Sequence, residues 1–142
     1  NNYRDWGIPL GRRFRALKLW FVIRTYGVEG IQEAVANHIL MARTLGNKIE
    51  QHPNFELLVP TNFNMLCFRY LPIASTNNDE INAFNELLLN QLNNSGKVYM
   101  THTKIGGNYA IRMVIGQTYV QQHHVDMAWE LIKDTALKLE GE

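Results

Sequence analysis

The sequence predicts an α/β chain of the α+β kind: a four-stranded antiparallel sheet with helices packed on one face, preceded by a helical arm. Three observations lead there. Apolar residues recur at helical spacing in four separate stretches, and short apolar runs lie in pairs between those stretches. Each pair is joined by turn-forming residues rather than by a crossover helix. Strands joined as hairpins pair antiparallel, and helices interleaved with them cover one face.

Residues 1–11 read as irregular, because Gly7, Pro9 and Gly11 alternate and proline lacks an amide donor. A helix is expected over 12–26, apolar nearly all round in its second half, with Gly27 ending it. A second helix over 28–51 carries Ile31, Ala34, Val35, Ile39, Ala42, Leu45 and Ile49 on one face, and Pro53 stops it. Gly46 sits awkwardly there, since an interior glycine costs about 1 kcal/mol against alanine.

Strands are expected over 55–59 and 65–71, separated by Pro60, Asn62 and Asn64. The polar residues 75–79 lead into a third helix that ends near Asn93, with Ile81, Phe84, Leu88 and Leu92 in one stripe. Residues 97–105 and 109–115 form two more strands, joined at Gly106-Gly107-Asn108, where positive φ is tolerated. The last helix opens at Thr118 with Gln121 as capping-box partner and runs through Val125, Ala128, Trp129, Ile132, Ala136 and Leu139.

Composition excludes several function classes. With 142 residues, 46% of them hydrophobic, there is material for one real core and too little for most two-domain enzymes. A net charge of +1 leaves no electrostatic footprint for nucleic acid or an anionic membrane. The longest apolar run, over 19–23, is too short to span a bilayer, and no signal-like leader opens the sequence. Cys67 is the only cysteine, which excludes an intrachain disulfide and suits a buried thiol in a reducing, cytoplasmic setting.

Candidate chemistry is sparse. His123 and His124 are neighbours on a helix and diverge by about 100°, and no metal-binding histidine spacing occurs, so no metal is expected. Ser75 and Ser95 lie in asparagine-rich turns without a glycine-flanked elbow. The distinctive cluster is Arg4 followed by Gly11-Arg12-Arg13-Phe14-Arg15 and Lys18. Arg12, Arg15 and Lys18 share one face at a helix start, where guanidinium groups and free amides suit a carboxylate or phosphate. A solvated basic face or interdomain ion pairs would use the same residue types.

The unbroken block over 5–21, Asp5-Trp6-Gly7-Ile8-Pro9-Leu10-Gly11-Arg12-Arg13-Phe14-Arg15-Ala16-Leu17-Lys18-Leu19-Trp20-Phe21, resembles the block that begins the C-terminal region of the group II pyridoxal-phosphate decarboxylases. Aromatic-L-amino-acid decarboxylases, including plant tyrosine and tryptophan decarboxylases, look most similar. The likeness continues at Tyr26-Gly27-Val28-Glu29-Gly30, Leu66-Cys67-Phe68-Arg69, Tyr99-Met100-Thr101-His102, Tyr109-Ala110-Ile111-Arg112 and Asp126-Met127-Ala128-Trp129-Glu130, so it spans nearly the whole chain.

The resemblance implies the C-terminal small domain of a fold-type I enzyme, with residues 1–27 as entry segment and connecting helix and 28–142 as the small domain. It implies a homodimeric enzyme with pyridoxal 5'-phosphate as coenzyme and an amino acid, aromatic by nearest likeness, as substrate. Glutamate and diaminobutyrate remain alternative substrates within the group. In this family the Schiff-base lysine follows a histidine in a large domain upstream; no His-Lys pair occurs here, so no catalytic residue is expected in this chain and the chain alone should be inactive. The family pattern places Gly11 where a side chain would obstruct the coenzyme. It places Arg12 at an arginine that pairs with a substrate carboxylate in related glutamate decarboxylases, and Arg4 near the active site. It gives Arg15 a structural role against the large domain. The competing expectation, a free-standing ligand- or RNA-binding module, would want exposed strand aromatics such as Tyr99 and Tyr109 within a basic surface.

Overall fold

The computed structural model describes residues 14–75 and 77–141. Its elements run α1 (Arg15–Glu50), β1 (Phe55–Leu57), β2 (Met65–Tyr70), α2 (Asn78–Asn94), β3 (Thr101–Ile105), β4 (Asn108–Val114) and α3 (Gln122–Glu140). The two helices expected at the front form one long element that is interrupted where expected: Gly27 has φ 69° and ψ 174°, which no helix accommodates. The described residues fall into two compact units, one ending at Glu33 and the other beginning at Ala34.

In the first unit, Trp20 packs edge-on against Phe21, and the Arg24 guanidinium lies over the Trp20 ring. Most of its apolar side chains are nonetheless exposed, Trp20 and Phe21 at 54% each.

The second unit holds the sheet, ordered β1-β2-β4-β3 and antiparallel throughout. Ile105 pairs with Asn108 across Gly106 and Gly107, both at positive φ, which is the two-residue hairpin that the glycines foretell. One sheet face supplies Phe55, Leu66, Phe68, Tyr70, Tyr109 and Ile111 to a core completed by α1, α2 and α3. The other face carries Cys67, Arg69, Ala110 and Arg112; in register, Cys67 stands opposite Arg112 and Glu56 opposite Arg69. The expectation of three helices on one face is met.

The helical stripes are filled as spaced. Ile81, Leu88 and Leu92 of α2 and Val125, Ala128, Trp129, Ile132 and Ala136 of α3 are buried. On α1 burial is complete only at Met41, Ala42, Leu45, Gly46 and Ile49; Ala34 and Val35, expected inside, are exposed.

Gly46 has a packing reason. A Cβ at that position would lie 2.5 Å from Thr61 Oγ1 and 3.6 Å from Leu66, so only glycine admits this approach. Three boundaries depart from expectation. β3 starts at Thr101 rather than Lys97, because residues 97–100 are tied back to the end of α2: Lys97 N–H donates to Ser95 Oγ, and Met100 is held by Asn93. β1 ends at Leu57, two residues early. The last helix begins at Gln122, not Thr118; Val120 N–H closes a turn onto the Gln117 carbonyl, and the Gln121 N–H donates to His124 Nδ1. His124, not the Thr118–Gln121 pair, supplies the cap.

Candidate functional site

The basic cluster singled out in the sequence is split by the described boundary. Arg4, Gly11 and Arg12 lie outside the described residues. Arg15 opens α1 and Lys18 follows one turn later, both exposed, on a helix whose first turn carries no acidic residue. Cationic side chains there oppose the helix dipole, so the cluster does not serve helix stability.

The second unit has clefts of its own. A cleft of about 610 Å³ lies between α3 and the segment before β3, floored by Val98, Met127 and Leu131 and rimmed by Lys97, His123 and Asp134. A smaller one of about 350 Å³ lies between α2 and β3 at Glu86, Asn90, His102 and Tyr109, where the His102 ring stacks on Tyr109 at 4.8 Å. Burial, reinforced by the Glu86 carboxylate, pushes the Tyr109 phenol up.

Titratable groups elsewhere serve structure. Burial pushes the Cys67 thiol up, with Arg112 opposing. Burial and the Glu140 carboxylate raise the Tyr70 phenol, whose hydroxyl donates to Glu140 Oε2 at 2.6 Å. Asp126 is held below the usual carboxylate range by its hydrogen bonds from Lys48 and Gln122. Among the described residues no group of histidine, cysteine and carboxylate could hold a metal ion, and no helix is long and apolar enough to cross a membrane.

The lysines test whether these residues fit a Schiff-base coenzyme. Lys48 is paired with Asp126, and Lys133 is paired with Glu130 and lies over Trp129. Lys18, Lys97, Lys104 and Lys138 are exposed side chains. Holding a planar phosphorylated pyridine needs an enclosed lysine with an acid and a stacking ring; the described residues do not assemble one.

What sequence reasoning missed is a set of asparagines on α2. Asn85, fully buried, accepts from Tyr70 N–H and donates to the Tyr70 and Ile81 carbonyls, each at 2.8 Å. Asn82 bridges the Gly107 carbonyl and Tyr109 N–H, and Asn93 takes both backbone groups of Met100. Their spacing of three and eight residues along one helix was the available signal.

Comparison with known proteins gives the chain's family. Residues 1–71 match the model of the pyridoxal-dependent decarboxylase conserved domain. A tryptophan decarboxylase of Camptotheca acuminata is 44% identical over 135 residues, 95% of this chain and 27% of that protein. A phenylacetaldehyde synthase of a Rosa hybrid cultivar is 44% identical over 141 residues, 95% of this chain and 28% of that protein. The crystal structure of an Oryza sativa TDC with PLP and tryptamine superposes with a TM-score of 0.85 at 38% identity, covering 96% of this chain and 29% of that one. The chain therefore spans little more than a quarter of the length of the curated relatives it matches. On the match over half its length and on these relatives, the chain belongs to the group II pyridoxal-phosphate-dependent decarboxylases, beside the aromatic-amino-acid enzymes.

Proposed function

We propose that this chain is the C-terminal portion of a homodimeric enzyme that removes the α-carboxylate of an aromatic L-amino acid. One observation carries the reading: similarity to aromatic-amino-acid enzymes runs through both units, over 95–96% of the chain. When bound, pyridoxal phosphate supplies an electron sink for the pair left on Cα as carbon dioxide departs.

This chain's own contribution is to shape one wall. Gly11, without a side chain, leaves room beside the coenzyme. Arg12 and Arg4 present guanidinium groups, which bind carboxylate or phosphate oxygens in a forked geometry that lysine cannot reproduce. Arg15 and the apolar turn after it hold that wall to the large domain. The small domain is scaffold. A lone buried thiol suits a reducing compartment such as the cytoplasm.

A second reading is an aldehyde synthase of the same family, favoured by the equal 44% identity to the Rosa enzyme. Both readings are tested by incubating the longer polypeptide with coenzyme and L-tryptophan, L-tyrosine, L-phenylalanine or L-glutamate. Carbon dioxide with one equivalent of aromatic amine supports decarboxylation; carbon dioxide with the aromatic aldehyde, ammonia and hydrogen peroxide, formed as dissolved oxygen is consumed, supports the second reading. Turnover of glutamate alone would reject the aromatic assignment.

A further inference from the structure

One face of α2 carries Asn82, Glu86, Asn90 and Asn93 at helical spacing, and the outer two are clamps. Asn82 bridges the Gly107 carbonyl and the Tyr109 N–H at one end, and Asn93 holds both backbone groups of Met100 at the other. Glu86 and Asn90 lie between these clamps. Among the described residues neither has a side-chain hydrogen bond or an ion pair. Both instead line the cleft of about 350 Å³ between α2 and β3. Because the clamps tie α2 to the sheet on either side of it, that cleft is preformed.

Its lining decides the charge of a ligand. Glu86 is the one carboxylate there, and no lysine or arginine lines the cleft. Lys104 stands opposite Tyr109 in the ladder but is not paired with Glu86. Burial, then the Glu86 carboxylate, raises the Tyr109 phenol, so that charge is felt across the cleft. Across from α2 the wall is aromatic: His102, itself exposed, stacks on Tyr109 with ring planes 12° apart, and Tyr99 is 84% exposed. A carboxylate, an amide oxygen and aromatic rings together suit an alkylammonium, through charged hydrogen bonds and cation–π attraction. The volume suits one small ligand. An α-amino acid would bring its own carboxylate beside Glu86 with no lysine or arginine to offset it, and like charges repel. The decarboxylated amine carries the ammonium alone.

We propose that the cleft between α2 and β3 binds an aromatic monoamine, with Glu86 and Asn90 accepting hydrogen bonds from its ammonium and His102 stacking on its ring. The inference rests on the proposed function for the kind of amine, the product of decarboxylating an aromatic amino acid. It gives the small domain a ligand beyond its scaffold role, and a means of telling product from substrate by charge.

The 142-residue chain, isotopically labelled, is titrated with tryptamine, tyramine, L-tryptophan and tryptophol while its amide shifts are followed. The expected result is saturation by both amines at or below about 10 mM, as befits a dozen heavy atoms in an open cleft. The largest shifts should fall at Glu86, Asn90 and His102. L-tryptophan, which adds a carboxylate, and tryptophol, which replaces the ammonium with a hydroxyl, should each bind at least tenfold more weakly. Glu86→Gln, at an exposed side chain without an ion pair, should keep the rest of the spectrum and weaken tryptamine at least fivefold. Equal affinity for L-tryptophan or tryptophol, shifts centred on the α3 cleft, or unchanged affinity in Glu86→Gln would each overturn the proposal. A longer polypeptide that releases aromatic amine while this chain does not bind it contradicts the site alone. Amine binding at Glu86 beside turnover of glutamate alone contradicts the functional reading alone.

Discussion

The side-chain amide of Asn85 is bonded to both backbone groups of Tyr70, accepting from its N–H and donating to its carbonyl, each at 2.8 Å. A helix residue thereby takes the place of a strand partner, and joins α2 to β2 inside the core. Removing it strands a buried N–H and a buried carbonyl at once.

Asn85→Ala should therefore destabilise the chain by about 2–4 kcal/mol, since each orphaned buried group costs roughly 1–3 kcal/mol. Asn85→Asp should also be harmful, because a carboxylate cannot donate to the Tyr70 and Ile81 carbonyls. The less buried Asn82 and Asn93 should cost about 1 kcal/mol each when truncated. Urea denaturation midpoints check the order; an Asn85 variant no worse than the other two would contradict the structure.

Gly46→Val should destabilise by about 1–3 kcal/mol through overpacking against Thr61. Coupling is the sharper test: with Thr61→Ala in place, the 2.5 Å conflict with Oγ1 disappears and part of the loss should be recovered. A double-mutant cycle with no interaction energy would show that the helix tolerates a side chain there for another reason.

Acid should weaken the fold in a definable window. Burial, then Lys133, holds His52 below its ordinary value of 6.5. The unfolded chain consequently takes up this proton at higher pH than the folded one. The contribution of the neutral ring is complete above about 6.5 and is lost as pH falls toward the folded value. Asp126 acts in the same direction lower down, its contribution present above 3.8 and lost as pH falls through its depressed folded value. Denaturation midpoints between pH 8 and about pH 5 should fall less steeply for His52→Gln than for the native sequence; parallel curves would remove the imidazole from the account.

Cys67 should resist modification. It is buried on the face opposite the helices, and burial raises its thiol, so the thiolate fraction is small. Ellman's reagent should react about a hundredfold more slowly with the folded chain than in denaturant. Rapid labelling of the folded chain would mean that this sheet face opens.

The sequence made much of the scaffold legible because the relevant signals were local. The apolar spacing of α2 and α3 and the Gly106-Gly107 turn are set by neighbours a few residues away. What escaped depended on contacts between distant residues. Gly46 reads as a weak point in a helix until Thr61 is seen against it, and Asn93 reads as a helix end until it is seen holding Met100. The cap of α3 was misplaced by three residues because Thr118 has the right chemistry but sits in a turn of its own. The candidate site was legible only through likeness: Arg4, Gly11 and Arg12 carry no feature that composition or spacing distinguishes from a basic surface, and they lie outside the described residues.

Reduction of the longer polypeptide with borohydride in the presence of coenzyme, followed by peptide mapping, tests the central claim most directly. The account predicts one pyridoxyl-lysine, upstream of Asn1, and none at Lys18, Lys48, Lys97, Lys104, Lys133 or Lys138. A label on any of those six, or none anywhere, would contradict it.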